Sequence, residues 1–189
     1  MPEKPRFEFE SPQNPEVRKI WDELRNESDR GMVIMAAAFL DNLLESLLKA
    51  TMIRDEKIAQ SLIGKNGPLG SFHGRVQAAM AFGLLSQFEH HDLNAIREIR
   101  NDFAHVTKPA SFKNSEMVNK CNSFCLWKHA KDCLPSPMEE YCRDAKGRFG
   151  LLVATLAARL LERTRLQEHF KPLAESQPWN TFPDVIERP

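Results

Sequence analysis

Residues 30–52, RGMVIMAAAFLDNLLESLLKATM, decide the fold of this chain. Their apolar side chains recur at helical spacing and cover more than one narrow stripe: Val33, Ala36, Phe39, Leu40, Leu43, Leu44, Leu47 and Leu48. A helix with so wide an apolar surface has to contact several neighbours at once. The segment therefore predicts a central helix, with Ser28 or Asp29 as its N-cap.

Apolar residues also recur at helical spacing outward from this segment, and they almost nowhere alternate as they would in a strand. Further helices are predicted over 15–25, 55–63, 71–82, 87–105, 114–127 and 136–170. Gly147 and Gly150 are candidate breaks in the last helix, whose apolar residues between 149 and 161 are expected to face the central helix. Ser86 and Glu89 predict a capping box. The fold class is thus all-α, a single-domain bundle of about six to seven helices.

The ends of the chain differ from its middle. Residues 1–14 contain three prolines and several charges without an apolar period, and the prolines recur after residue 177. Extended arms are therefore expected at 1–14 and 173–189, on either side of a helical domain at 15–172.

The charges balance, with 26 lysines and arginines against 26 aspartates and glutamates. No overall field draws the chain toward nucleic acid or an anionic membrane, and a duplex-DNA binder is normally more basic. No apolar run of about 18 residues without charges is evident, and the first residues lack the apolar core of a signal peptide. A cytoplasmic protein without a membrane segment is expected.

Four cysteines lie at Cys121, Cys125, Cys133 and Cys142. In a cytoplasmic protein they are expected to be reduced. The spacing from Cys121 through Cys125 and His129 to Cys133 has the soft ligands that zinc prefers. On one straight helix, however, the first and last would stand about 18 Å apart, too far for one tetrahedral site. We predict packed thiols, no metal site and no cofactor.

The segment 98–105, EIRNDFAH, places two acids, an arginine, an amide and an imidazole at the end of one predicted helix. It shares a helix with apolar residues, so some of its charges are expected to lie against the protein, where an arginine needs a carboxylate partner. Asp29, Asp41 and Glu45 are the available partners. The prediction is a structural ion network that braces helix pairs: Asp29, Arg30, Asp41, Glu45, Arg97, Arg100 and Asp102.

Two helices with a short turn at residues 75–103 have the outline of a helix-turn-helix. The would-be recognition face carries Glu89, Asp92 and Glu98, and these acids would repel backbone phosphates. We interpret the pair as an ordinary helical hairpin. Gly64, Gly67 and Gly70 lack the pattern of a phosphate-binding loop and indicate a plain connection.

The chain resembles the mannitol operon repressor family over roughly residues 23–106. The resemblance rests on ESDRG at 27–31, FLDNLLESLL at 39–48, PLGSF at 68–72 and IRNDFAH at 99–105, together with Arg75, Gly83-Leu84 and Asp92-Leu93. Residues 107–172 are interpreted as a helical extension. The family implies a helical, non-enzymatic transcriptional regulator. Because the chain is electroneutral, we expect it to act through a protein partner rather than by reading DNA. A homodimer is also expected.

An alternative is carried by Arg100 and His105, whose spacing looks like the Arg-x4-6-His motif of the HEPN family of helical bundles, many of which cut RNA. That resemblance implies a metal-independent endoribonuclease. His105 would be the general acid or base, and Arg100 would stabilise charge on the phosphate. Each chain supplies a single pair, so RNA cleavage would require two chains to bring their motifs together in a dimer cleft.

Overall fold

The computed structural model describes residues 15–52, 55–105, 110–131, 134 and 136–169. In these residues the chain forms helices and no strand, which confirms the all-α prediction. The helices are α1 (Pro15–Arg25), α2 (Asp29–Thr51), α3 (Glu56–Ile63), α4 (Phe72–Ala81), α5 (Gln87–Ala104), α6 (Ser115–Ser123), α7 (Cys125–Ala130), α8 (Ser136–Tyr141) and α9 (Ala145–His169). The arms expected at 1–14 and 173–189 lie outside the described residues.

Helix α2 is the centre of the bundle and contacts α1, α4, α5 and α9. Its largest interface is with α9, as expected from the apolar residues after 149. Leu40, Leu44, Leu47 and Leu48 of α2 and Phe149, Val153 and Ala157 of α9 are all fully buried. By length and apolar composition α2 could also cross a membrane. Half of the relevant window is buried inside the bundle, however, as in the core helix of a soluble protein.

Side-chain caps fix where the first helices begin. Ser28 accepts from the Gly31 amide at 3.0 Å before α2, and Ser71 accepts from the Gly74 amide at 3.0 Å before α4. The capping box predicted for Ser86 and Glu89 is present at the start of α5. Such caps satisfy backbone donors that have no partner inside the helix.

The structure has nine helices in the described residues, whereas about six to seven were expected, because two predicted helices are each divided. The helix predicted over 114–127 breaks at Phe124, whose ψ of 128° leaves the helical region while its side chain is fully buried. The helix predicted over 136–170 breaks at 142–144, before the two glycines proposed as breaks. There Asp144 accepts from the Gly147 amide at 2.7 Å. A Cβ on Gly147 would lie 1.8 Å from the Tyr141 carbonyl oxygen, so this turn requires glycine.

Three phenylalanines join the loop before α6 to the core. The Phe112 ring lies 5.3 Å from that of Phe103 on α5 and 5.2 Å from that of Phe149 on α9, measured between centroids. These tilted contacts have the geometry that aromatic pairs favour. They hold the loop over the N-terminal end of α2, where Asp29 lies.

Candidate functional site

The C-terminal half of α5 presents its charges on the surface of the bundle. Glu98 and Asn101 are exposed, and Arg97, Arg100 and Asp102 are half-buried. Within this segment, Arg97 lies 4.0 Å from Glu98, a long contact between neighbours in sequence. Asp102 pairs instead with Lys120 of α6, which also lies 3.1 Å from Glu116. The Asp102 pair therefore ties α5 to α6.

Arg100 and His105, the two residues of the HEPN-like spacing, are not joined to the rest of this cluster. Arg100 is half-buried, and His105 is exposed where α5 ends. Among the described residues, neither side chain forms an ion pair. The backbone amide of His105 donates to the Asn101 carbonyl oxygen at 3.3 Å.

Asp41 and Glu45 of α2 do pair with an arginine, but it is Arg75 of α4. Its guanidinium lies 2.7 Å from Asp41 Oδ1 and 2.8 Å from Glu45 Oε2, and it donates to the Ile63 carbonyl oxygen at 3.2 Å. Arg75 is buried, whereas both carboxylates are about one-third exposed. This one side chain connects α2, α3 and α4. The structure does not bring Arg97 or Arg100 to these carboxylates.

Asp29, at the start of α2, holds the loop before α6. It accepts from the Ser111 hydroxyl at 2.9 Å and from the Phe112 amide at 3.1 Å. Lys146 of α9 lies 3.6 Å from its other oxygen and donates to the Glu27 carbonyl at 2.7 Å. Arg30 is half-buried, and no ion pair joins it to another described residue. The carboxylates of the predicted network thus lie in separate clusters, around Arg75, Lys120 and Lys146.

Among the described residues, Glu89 is the most deeply buried carboxylate that forms an ion pair with an arginine, and its sequence position predicted the capping box but not these partners. One oxygen accepts from the Ser86 amide at 2.8 Å and the Ser86 hydroxyl at 2.7 Å. The other lies 2.7 Å from Arg159 and 3.0 Å from Arg163, both on α9. Burial acts to raise the pKa of Glu89, but hydrogen bonds from Ser86 and Arg163 and the charge of Arg159 outweigh it and lower the pKa.

Asp92 is fully buried and caps a helix that lies far away in sequence. Its two oxygens accept from the Cys125 amide at 2.7 Å and the Leu126 amide at 2.9 Å, at the beginning of α7. The Nδ1 atom of His91 lies 3.1 Å from the same carboxylate. The helix-turn-helix interpretation would have pointed this face at DNA. Instead, Glu89 and Asp92 face the interior of the bundle.

An open groove of about 300 Å³ runs between α5 and α6. It is lined by His90, His91, Asn94, Ala95, Glu98, Lys120 and Ser123. It offers imidazole, amide, carboxylate and ammonium groups within one concavity. Phe88, three residues before His91 on α5, is 46% exposed and stacks on the His129 ring of α7, with 4.7 Å between centroids.

The described cysteines are free thiols. Burial raises the pKa of Cys121 to about 12 and that of Cys142 to about 11, and it also raises the pKa of Cys125. These thiols are therefore protonated at neutral pH, as expected for packing rather than nucleophilic chemistry. Cys133 lies outside the described residues.

The chain matches one family model and is similar in fold to one solved structure described below. The family model described as MtlR, mannitol repressor, matches residues 17–146. The match extends beyond the 23–106 of the sequence resemblance and includes α6, α7 and α8. The chain is also similar in fold to the protein in the X-ray structure of the MtlR-HPr complex from Escherichia coli. The TM-score is 0.62 and the sequence identity 16%, over 76% of this chain and 97% of the other. No curated protein matches significantly.

Proposed function

The chain belongs to the mannitol repressor family, and we propose that it regulates transcription by binding a protein partner, with HPr as the first candidate. The family match carries the regulatory role. The similarity in fold to a protein crystallised with HPr supports this choice of partner. Equal numbers of basic and acidic residues argue against direct operator binding, since phosphate contacts require positive charge. A cytoplasmic location is part of this proposal.

We place the partner contacts at the groove between α5 and α6 and at the neighbouring Phe88. Interfaces favour exposed aromatic side chains surrounded by polar groups. Phe88 and Glu98 supply these two features on one helix, and neither forms part of the buried core.

Isothermal titration of the purified chain with HPr from the same organism tests the proposal. We expect saturable one-to-one binding that is weakened by Phe88→Ala and Glu98→Lys. Ile58→Ala on α3 is the matched control, because Ile58 is similarly exposed, at 45%, on another helix. Absence of binding by the native chain would refute HPr as the partner. Equal affinities for all variants would show that HPr binds somewhere other than the groove.

A gel shift on operator duplexes at two salt concentrations tests whether the chain binds DNA directly. The chain alone is expected to show only weak binding to DNA. Tight binding that falls steeply with salt would indicate direct phosphate contacts and would overturn the partner-based mechanism.

We also propose that the chain is not a ribonuclease. The support is that His105 is exposed at the end of α5 and that no described side chain positions it as an acid or base. Purified chain is expected to leave RNA intact under metal-free conditions. Cleavage that disappears in both Arg100→Ala and His105→Ala, with folding unchanged, would establish the enzymatic alternative.

A further inference from the structure

We propose that the junction of α5 and α7 is a binding site for a divalent transition metal ion of the zinc type, held by His91, Asp92 and Cys125. One ligand atom from each of these side chains lies within 4.8 Å of the other two. Imidazole nitrogen, carboxylate oxygen and thiolate sulfur are the three donor types that zinc accepts in proteins. The site goes beyond the proposed regulatory function and does not depend on it.

The fold, rather than sequence spacing, assembles this trio. Cys125 follows the break at Phe124, where α7 begins in a new direction. Asp92 accepts from the backbone amides of Cys125 and Leu126, which fixes the first turn of α7 against α5. The Asp92 carboxylate therefore positions Cys125 and is itself a potential ligand.

The distance between the ligand atoms of His91 and Asp92 suits a tetrahedral ion. Bonds of about 2.0 to 2.2 Å to nitrogen and oxygen place two such ligands about 3.3 Å apart. His91 Nδ1 and Asp92 Oδ1 lie 3.1 Å apart. The hydrogen bond between them would give way to two bonds to the ion. Cys125 would approach by a change of side-chain rotamer, lose its thiol proton to solvent and bind as the thiolate.

Burial differs among the three ligands in a way that leaves the ion accessible. Asp92 is fully buried, Cys125 is intermediate, and His91 is exposed and lines the groove between α5 and α6. Three protein ligands leave one of four positions for water from the groove. The bound ion would cross-link α7 to α5, so it is expected to stabilise the fold by binding the native state only.

The test uses the whole reduced chain and a chromophoric zinc chelator as competitor. We expect one zinc ion to be withdrawn from the chelator and the affinity to fall about tenfold or more in Cys125→Ser and in His91→Ala. Matched controls are Cys121→Ser, a buried thiol outside the trio, and His90→Ala, the neighbouring imidazole. Both controls are expected to bind as the native chain does. Circular dichroism confirms that each variant is folded.

Cobalt(II) gives a second readout that requires the thiolate. Binding at this site produces a sulfur-to-cobalt charge-transfer band in the near ultraviolet, which Cys125→Ser abolishes and Cys121→Ser retains. The proposal fails if the native chain takes no zinc, if Cys125→Ser binds as tightly as the native chain, or if Cys133→Ser alone removes the band. All measurements are made on the chain alone, so failure to bind HPr would leave this result unaffected.

Discussion

The buried ion pairs of Glu89 and Arg75 and the exposed C-terminal half of α5 contain the same kinds of residue in opposite settings. Glu89 is 1% exposed and contacts Arg159 and Arg163, which lie more than 60 positions away in sequence. Arg75 is 7% exposed and reaches Asp41 and Glu45. In the exposed segment, and among the described residues, Arg97 forms an ion pair only with its neighbour Glu98, at 4.0 Å, and Arg100 forms none.

The difference shows that local charge density is a poor guide to which charges brace the fold. An isolated charge on an apolar helix face is buried together with that face, and it must then find a partner from another helix. Arg75 lies beside Val76 and one turn from Phe72, and Asp92 lies one turn before Ile96. Charges that follow one another along a helix are spread around its circumference, so many of them face water.

Glu89→Ala is expected to have the largest effect on stability. It removes the carboxylate that two arginines of α9 share and half of the capping box at the start of α5. Breaking a buried pair of this kind costs about 3 to 5 kcal/mol. The free energy of unfolding, measured by urea denaturation, should fall by that amount.

Glu98→Ala is the matched control for Glu89→Ala. It removes the same side chain from the same helix, but at a position where the side chain is 60% exposed. Its expected effect is within about 0.5 kcal/mol. Equal effects at the two positions would contradict the distinction between buried and exposed charges.

Arg75→Met should have the next largest effect on stability. Methionine retains most of the packing volume but leaves Asp41, Glu45 and the Ile63 carbonyl without their cation. The two carboxylates are partly exposed and can regain water, so we expect a loss of about 2 to 3 kcal/mol, below the full cost of an orphaned buried charge. Urea denaturation measures this loss. The control is Arg165→Met, which removes an exposed arginine of α9. A loss no greater than that of the control would show that the Arg75 cluster is dispensable.

Acidification should remove part of the Glu89 contribution. The pKa of Glu89 in the folded chain lies below its ordinary value of 4.5. A lowered folded-state pKa means that the charged form adds stability above the unfolded-state value and that this stability is lost as the pH falls through the folded-state value. The stability difference between the native chain and Glu89→Gln should therefore be larger at neutral pH than at about pH 3. A constant difference would show that the carboxylate charge contributes nothing.

The sequence was sufficient for most of the helices and for the caps at Ser28 and Ser86, but not for two helix breaks or for the tertiary partners of the charges. The wide apolar surface of residues 30–52 predicted the central helix, and Ser86 with Glu89 predicted the capping box. The break at Phe124 could not be foreseen from local sequence. The new helix that follows it, α7, is capped by Asp92, which lies more than 30 residues earlier in the chain. For the same reason the trio of His91, Asp92 and Cys125 could not be read from cysteine spacing. Arg75 and Asp92 did carry a signal, since each is a charge on an apolar stripe.

Arg100→Ala and His105→Ala should have the smallest effects on stability, and they test the exposed side of the comparison. If Arg100 braced the bundle, its removal would orphan a buried carboxylate and cost several kcal/mol. Asp41 and Glu45 form ion pairs with Arg75, and Asp102 forms one with Lys120. None of these carboxylates therefore depends on Arg100. Both variants should therefore unfold within about 0.5 kcal/mol of the native chain. A much larger loss in Arg100→Ala, with His105→Ala unchanged, would mean that the guanidinium holds a partner beyond the described residues and that this end of α5 belongs with the buried clusters.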